Sequence, residues 1–157
     1  MQFRAKQDIE APIDFVFGQV SDFHAFERSA MRRGAEVQRV DSLSKPGVGM
    51  AWDAAFDLRG KRREIKMQLA SFDPPNGLSL TSRAASMGGD FVVELVALSR
   101  GRTRMDVSLT LEPRNLSARL LVQSLKLARS NLKRRFEARL ANFARDVEER
   151  YKRRARA

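Results

Sequence analysis

From residue 35 to residue 113, apolar side chains recur at every second position, run after run, with turn residues between the runs. No other feature constrains the fold as much, because period two is the signature of strands that bury one face. The clearest run sets Val48, Met50, Trp52, Ala54, Phe56 and Leu58 against Gly49, Ala51, Asp53, Ala55 and Asp57. Val37 and Val40 fall in a short strand before it. After it, Ile65, Met67 and Leu69 share a face, and Leu78, Leu80, Ser82 and Ala84 alternate with their neighbours. Phe91, Val93, Leu95 and Ala97 alternate with Val92, Glu94, Val96 and Leu98, which predicts a strand buried on both faces. Met105, Val107, Leu109 and Leu111 then alternate with Asp106, Ser108, Thr110 and Glu112. Turns are expected at Arg59-Gly60-Lys61-Arg62, Pro74-Pro75-Asn76-Gly77, Gly88-Gly89 and Ser99-Arg100-Gly101-Arg102, and Pro113 ends the sheet.

Helical periodicity flanks this region. Phe3, Ala5, Gln7 and Ile9 against Arg4, Lys6 and Asp8 predict a first strand over residues 2–10. After Ala11-Pro12, the residues Ile13, Val16, Phe17 and Val20 lie on one helix face, with proline suited to the first turn and Asp14 favoured there by the helix dipole. A second short helix over about 22–32 uses Phe23, Phe26 and Ala30 and stops at Gly34. Beyond Pro113, Leu121, Leu125, Ala128, Leu132, Phe136, Leu140, Phe143, Val147 and Tyr151 repeat every three or four residues. They predict one long helix from Ser117 to near Lys152, capped by Asn115 or Ser117, with 153–157 as a frayed basic tail. The pattern shows no linker, repeat or second hydrophobic unit, so residues 1–157 read as a single domain.

Composition removes several chemistries. The chain has no cysteine and one histidine, which excludes disulfides, a thiolate nucleophile, cysteine-based metal sites and a multi-histidine site. No cofactor and no metal is predicted. The start lacks the apolar core of a secretory signal, and no stretch approaches the length of a membrane span, so a soluble cytoplasmic protein is expected. The net charge of +11 is concentrated: residues 114–157 carry 14 Lys/Arg against 4 Asp/Glu, while residues 1–113 carry 16 against 15. A localised positive surface points to an anionic partner, or serves only solubility.

The run Ile9-Glu10-Ala11-Pro12, then Val16-Phe17, Val20-Ser21-Asp22 and Phe26, resembles the N-terminal segment of the helix-grip superfamily (SRPBCC). In that segment a strand ends at Ala-Pro and a helix opens with a Val-Phe pair. Val48-Gly49 ahead of the Trp52 strand and the long closing helix add to the likeness. The superfamily includes the START lipid-transfer domains, the birch-pollen-allergen-like proteins and the polyketide cyclase/dehydrase-like proteins. The resemblance implies an α+β helix-grip fold: a curved antiparallel sheet of about seven strands, two short helices after strand 1, and a long C-terminal helix packed across the concave face. It also implies an apolar cavity between sheet and helix for a lipid, sterol, polyketide, hormone or quinone. It carries over no catalytic residue, because the superfamily has no universal one.

On that frame, Trp52, Phe56, Met67, Leu69, Leu80, Val93, Leu109, Leu132 and Phe136 are expected to point between sheet and helix, lining a pocket or filling a core. Gln7 and Ser82 sit at apolar parity and would hydrogen-bond a ligand, backbone or water. Arg129 and Arg139 flank the helix stripe, placed to clamp an anionic group, pair with a sheet carboxylate or snorkel. Met87, Gly88 and Gly89 fall in a loop that would gate the cavity or simply turn the chain. His24 stands alone, as an acid/base or an exposed residue, and Asp53, Asp57 and Asp106 fall opposite the apolar faces of their strands. Lys126, Lys133, Arg134, Arg145, Lys152, Arg153 and Arg154, with the hairpin Arg59, Lys61, Arg62 and Arg63, form a basic outer face without interleaved aromatics, which disfavours nucleic acid. The leading expectation is a binding or carrier protein for a small hydrophobic molecule (lipid, quinone or polyketide-like). A cyclase or dehydratase acting on a similar ligand is the alternative, though no catalytic constellation is visible. A third reading is an interaction protein making weak contact with an anionic membrane surface, or with nucleic acid, through the basic helix.

Overall fold

The computed structural model describes residues 1–156. Its elements are β1 (Gln2–Ile9), α1 (Ile13–Val20), α2 (Phe23–Arg32), β2 (Glu36–Arg39), β3 (Ala51–Leu58), β4 (Lys61–Asp73), β5 (Gly77–Arg83), β6 (Met87–Ser99), β7 (Arg102–Pro113), α3 (Leu116–Leu127) and α4 (Arg129–Arg156). Every period-two run has become a strand of one antiparallel sheet, in the order β1-β7-β6-β5-β4-β3-β2. The chain therefore has the helix-grip arrangement that its N-terminal segment resembles.

Register explains the inner face. Pairing brings the alternating apolar residues of neighbouring strands into transverse rows. One row is Ala5, Val107, Val93, Leu78 and Phe72; the next toward the β1 end is Gln7, Met105 and Leu95. Phe72 joins its row only because β4 carries a bulge after Leu69: the extra residue shifts parity by one, so Leu69 and Phe72 both face inward. The β3–β4 hairpin turns on Arg59 and Gly60, both with positive φ, the geometry a two-residue turn needs to match strand twist. Val16, Phe17 and Val20 of α1, with Ala144 and Val147 of α4, cover these rows and complete the core. Full burial of a side chain such as Val147 is worth about 1.5–3 kcal/mol.

Pro12 stands just before the first helical turn as the N-cap, with extended ψ, and Asp22 caps α2 by accepting from the Ala25 N–H at 3.2 Å. Of the two caps expected for the C-terminal helical region, Asn115 is the one used, accepting from the Ala118 N–H at 2.9 Å.

Several expectations are corrected. Gly88 and Gly89 do not turn the chain. They lie inside β6, paired to Arg83 and Ser82 on one side and to Glu112 and Leu111 on the other. The reversal is at residues 84–86, closed by the Ala84 N–H on the Met87 carbonyl. Glycine serves close approach there: a Cβ on Gly89 would stand 2.9 Å from Ser82 Oγ and 3.2 Å from the Thr110 carbonyl. Met87, Gly88 and Gly89 are thus not a gate loop. The outer face of β6 meets solvent at Val96 and Leu98, as one face of an antiparallel sheet can.

The single long helix is two helices. Ala128 leaves helical geometry (φ −102°, ψ 13°) with neither glycine nor proline to force it. The cause is docking: α3 packs on β7 through Ala118 and Val122, whereas α4 runs along β1, where Arg129 donates to the Gln2 carbonyl at 3.2 Å. The basic tail is not frayed: α4 continues to Arg156. Its last turns are held on α1 by Tyr151 against Phe15 (5.1 Å between ring centres) and the Arg154 guanidinium over the same ring. The last residue of that expected tail, Ala157, lies outside the described residues.

Candidate functional site: an open apolar cleft under the C-terminal helices

The inner face changes character along the strands. The rows just described are buried, apart from half-buried Phe72 and Gln7 at their ends. The next two rows are closed only at their margins. One runs Phe3, Leu109, Phe91, Leu80, Leu69; the other runs Leu111, Gly89, Ser82, Met67, Trp52, Arg39. Phe3, Leu69 and Trp52 at the margins are buried, but Leu109, Phe91, Leu80, Leu111, Ser82 and Met67 in the middle are half-buried although they face inward. Inward apolar groups with solvent access define an open cleft. Gly89, with no side chain, lowers its floor. On α4, Leu132, Phe136 and Leu140 are half-buried apolar residues of the same helix stripe, and Phe136 rests on Phe3 at 6.2 Å. An aromatic stack, Phe26 on Phe143 at 6.2 Å, links α2 to α4.

A polar cluster closes the β3 end of the cleft. The Trp52 indole N–H donates to Glu27 Oε1 at 2.9 Å, and Phe23 packs on the indole ring. His24 Nδ1 lies 3.5 Å from Glu27 Oε2, one helical turn away, with most of its side chain in water. Arg39 faces inward beside Trp52 and makes a two-pronged pair with Asp41 at 2.8 and 2.9 Å. Asp41 also accepts from the backbone N–H groups of Leu43 and Ala51, so one carboxylate ties down the long β2–β3 connection. The Arg39 hydrogen bonds, with those from the backbone, hold the Asp41 carboxyl well below the ordinary carboxylate range.

A depressed pKa stabilises the fold wherever the carboxylate is ionised. That contribution is complete above the unfolded value of about 3.9 and is lost as pH falls toward the lower folded value. Asp41→Asn is therefore expected to melt below the parent at pH 7, with the gap closing as pH drops below about 4. Thermal melts across that range would show it, and a gap independent of pH would refute it.

The predicted site residues divide. Met67, Leu80, Ser82 and Leu109 come together on the cleft floor, joined by Gly89 and by Phe91 and Leu111, which the sequence reading had not placed in the site. Ser82 Oγ makes only a long contact to the Gly89 carbonyl, 3.4 Å. Leu69 and Val93 belong to the packed core, and Trp52 closes the margin. Phe56 lies beyond the cleft toward the β3–β4 hairpin. Gln7 lines a polar groove of about 440 Å³ with Arg4, Lys6, Lys133 and Glu137, where α4 meets the edge strand β1. Arg129 is committed to the Gln2 carbonyl and the Phe3 ring.

A second depression, about 720 Å³, is lined by the outward row Asp53, Lys66, Arg83 and Gly88 and the next, Gln68, Thr81 and Asp90, together with Trp52, Met67, Ser82 and Gly89 of the cleft row. Among the described residues none from a helix lines it. Asp53 pairs there with Lys66 at 3.6 Å, and Asp106 pairs outward with Arg4 at 2.7 Å.

The model of the family of polyketide cyclases/dehydrases and lipid transport proteins matches residues 1–148, nearly the whole chain. The chain belongs to this family. Among solved structures it is similar to the ZhuI aromatase/cyclase of Streptomyces sp. R1128, with TM-score 0.67 and 14% identity over 96% of this chain and 94% of that one. A Thermus thermophilus protein gives TM-score 0.66 and 17% identity over 94% and 97%. A norcoclaurine synthase mutant of Thalictrum flavum gives TM-score 0.66 and 14% identity over 96% and 95%. At such identities the likeness is one of fold. No curated protein matches the sequence. Family membership confirms the helix-grip reading and leaves the ligand to the chemistry of the cleft. Among the described residues no helix is long and apolar enough to cross a membrane, and no group of acidic and histidine side chains is placed to hold a metal.

Proposed function

We propose that this family member binds a small hydrophobic molecule in the cleft between the sheet and α4. The observation that carries the reading is the set of inward-facing yet half-buried side chains Leu80, Phe91, Leu109, Leu111 and Met67. Apolar surface left accessible to water is stabilised by an apolar ligand at about 25 cal/mol per Å² removed from solvent. Ser82 supplies a hydroxyl on the floor, enough to orient one polar end.

Native mass spectrometry of the gently purified protein, followed by solvent extraction, tests this. A discrete releasable mass is expected. Trp52, the one tryptophan of the chain, borders the cleft and reports binding of added long-chain acids or quinones through its fluorescence. Leu80→Arg puts a charge on the floor and is expected to weaken that binding at least about tenfold. Unchanged titrations in the variant would refute the cleft as the site. A cyclase or dehydratase on the same ligand class is the second reading. Glu27, on the Trp52 indole, is the carboxylate placed to serve it. Glu27→Gln retaining ligand but losing turnover would favour that reading.

A further inference from the structure

α3 is apolar on two opposite faces, and only one of them is used. Ala118 and Val122 are buried on the body, with Leu121 and Leu125 half-buried beside them. Leu116, Leu120 and Leu127 are 71%, 63% and 91% exposed. At about 100° per residue these three fall within about 40° of one another, and the buried group lies on the far side of the helix. They form one stripe, interrupted by the exposed Gln123, along a helix of 12 residues, about 18 Å long. Arg119 and Lys126 project on one flank of the stripe, Ser117 and Ser124 on the other, all exposed.

The charge around the stripe has one sign. Residues 114–136 contain seven Lys/Arg and no Asp or Glu. Most sheet arginines differ: Arg4, Arg39, Arg62, Arg102 and Arg104 are each paired with a carboxylate, and among the described residues Arg63 and Arg83 are the strand arginines that are not. Among the described residues, Arg114, Arg119, Lys126, Arg134 and Arg135 have no such partner. A second copy docked through α3 would bring two such uncompensated clusters together, which disfavours self-association. An exposed leucine ridge beside unpaired cations fits a surface that is apolar inside and anionic at its boundary.

We infer that α3 is a membrane-docking helix: Leu116, Leu120 and Leu127 enter the acyl boundary of an anionic bilayer while Arg119 and Lys126 lie at its phosphates. This does not rest on the ligand reading, since the stripe faces away from the body and the cleft lies beneath it.

The experiment is co-sedimentation of the full chain with phosphatidylcholine vesicles, with and without about one-third phosphatidylglycerol, at low and at physiological salt. Wild type is expected to bind the anionic vesicles at least about tenfold more tightly than the neutral ones, and to weaken as salt rises. Leu116→Ser/Leu120→Ser/Leu127→Ser is expected to lose at least about tenfold on anionic vesicles with its melting temperature kept, because the three side chains touch water in the free protein. Arg119→Gln/Lys126→Gln is expected to lose about five- to thirtyfold and to flatten the salt dependence. Wild type remaining in solution with anionic vesicles at low salt, or a triple serine variant that binds as well as wild type, overturns the inference. So does a wild-type dimer that the serine variant abolishes, since a second copy would then cover the stripe. Trp52 titrations with soluble ligand, run on the same serine variant, should be unchanged, so failure of the docking helix and failure of the cleft are read separately.

Discussion

Gly77→Ala is expected to lower stability by about 3 kcal/mol or more, a drop of roughly 6–12 °C in melting temperature for a chain of this size. Gly77 opens β5 and pairs with Asp73 of β4 and Glu94 of β6, so backbone hems it in on both sides. A Cβ there would run into the carbonyl oxygen of Val93, with Glu94 Cα and the Val93 carbonyl carbon each at 3.4 Å. None of these atoms belongs to a side chain that can rotate away, so relief means moving β5 off its neighbours. The φ of Gly77 is not in the left-handed region, so the penalty is one of space rather than backbone conformation. Gly101, in the β6–β7 turn, is the control: nothing stands within 4 Å of its missing Cβ, and Gly101→Ala is expected to be close to neutral. Circular-dichroism melts of the two variants decide the matter, and equal melting temperatures would show that the β5–β6 contact is looser than described.

Leu69→Ala is expected to cost about 2–5 kcal/mol, while Met67→Ala, two residues along the same strand, costs less than about 1.5. Leu69 is fully buried in the core cluster, and truncation leaves a cavity that surrounding residues fill only in part. Met67 already meets solvent on the cleft floor, so its truncation enlarges a space that is open. Binding should run the other way. Met67→Ala alters the affinity for a hydrophobic ligand, and Leu69→Ala leaves the affinity of the folded fraction unchanged. Denaturant unfolding gives the first comparison and Trp52 fluorescence the second. Equal stability losses at the two positions would mean that the cleft is packed core and that the proposed binding site does not exist.

Why these two residues differ is not visible in the chain. Ile65, Met67 and Leu69 repeat with the same period and the same apolarity. Period two states which face of a strand avoids water but not what covers it. The same limit accounts for β6: its two apolar faces read as doubly buried, yet Val96 and Leu98 meet solvent. Gly88-Gly89 read as a turn because glycine marks both turns and close approaches, and only the pairing to Ser82 and Leu111 separates the two cases. The Glu27–Trp52 hydrogen bond joins residues 25 apart, beyond local pattern, although the i, i+3 spacing of His24 and Glu27 is there to be read.

Periodicity, turn residues and composition suffice for the order and type of the elements, the inward sets of β1, β3, β5 and β7, the boundaries of α1 and α2, and the concentration of positive charge after Pro113. All of these are local properties of the chain. Four outcomes needed the packed molecule: the C-terminal helical region divides at Ala128, its last turn is pinned by Phe15, half of the inner face stays open, and Leu116, Leu120 and Leu127 are left outside. Each of those outcomes depends on which surface a helix docks against. Docking is settled by contacts between residues far apart in sequence, to which a local repeat is blind.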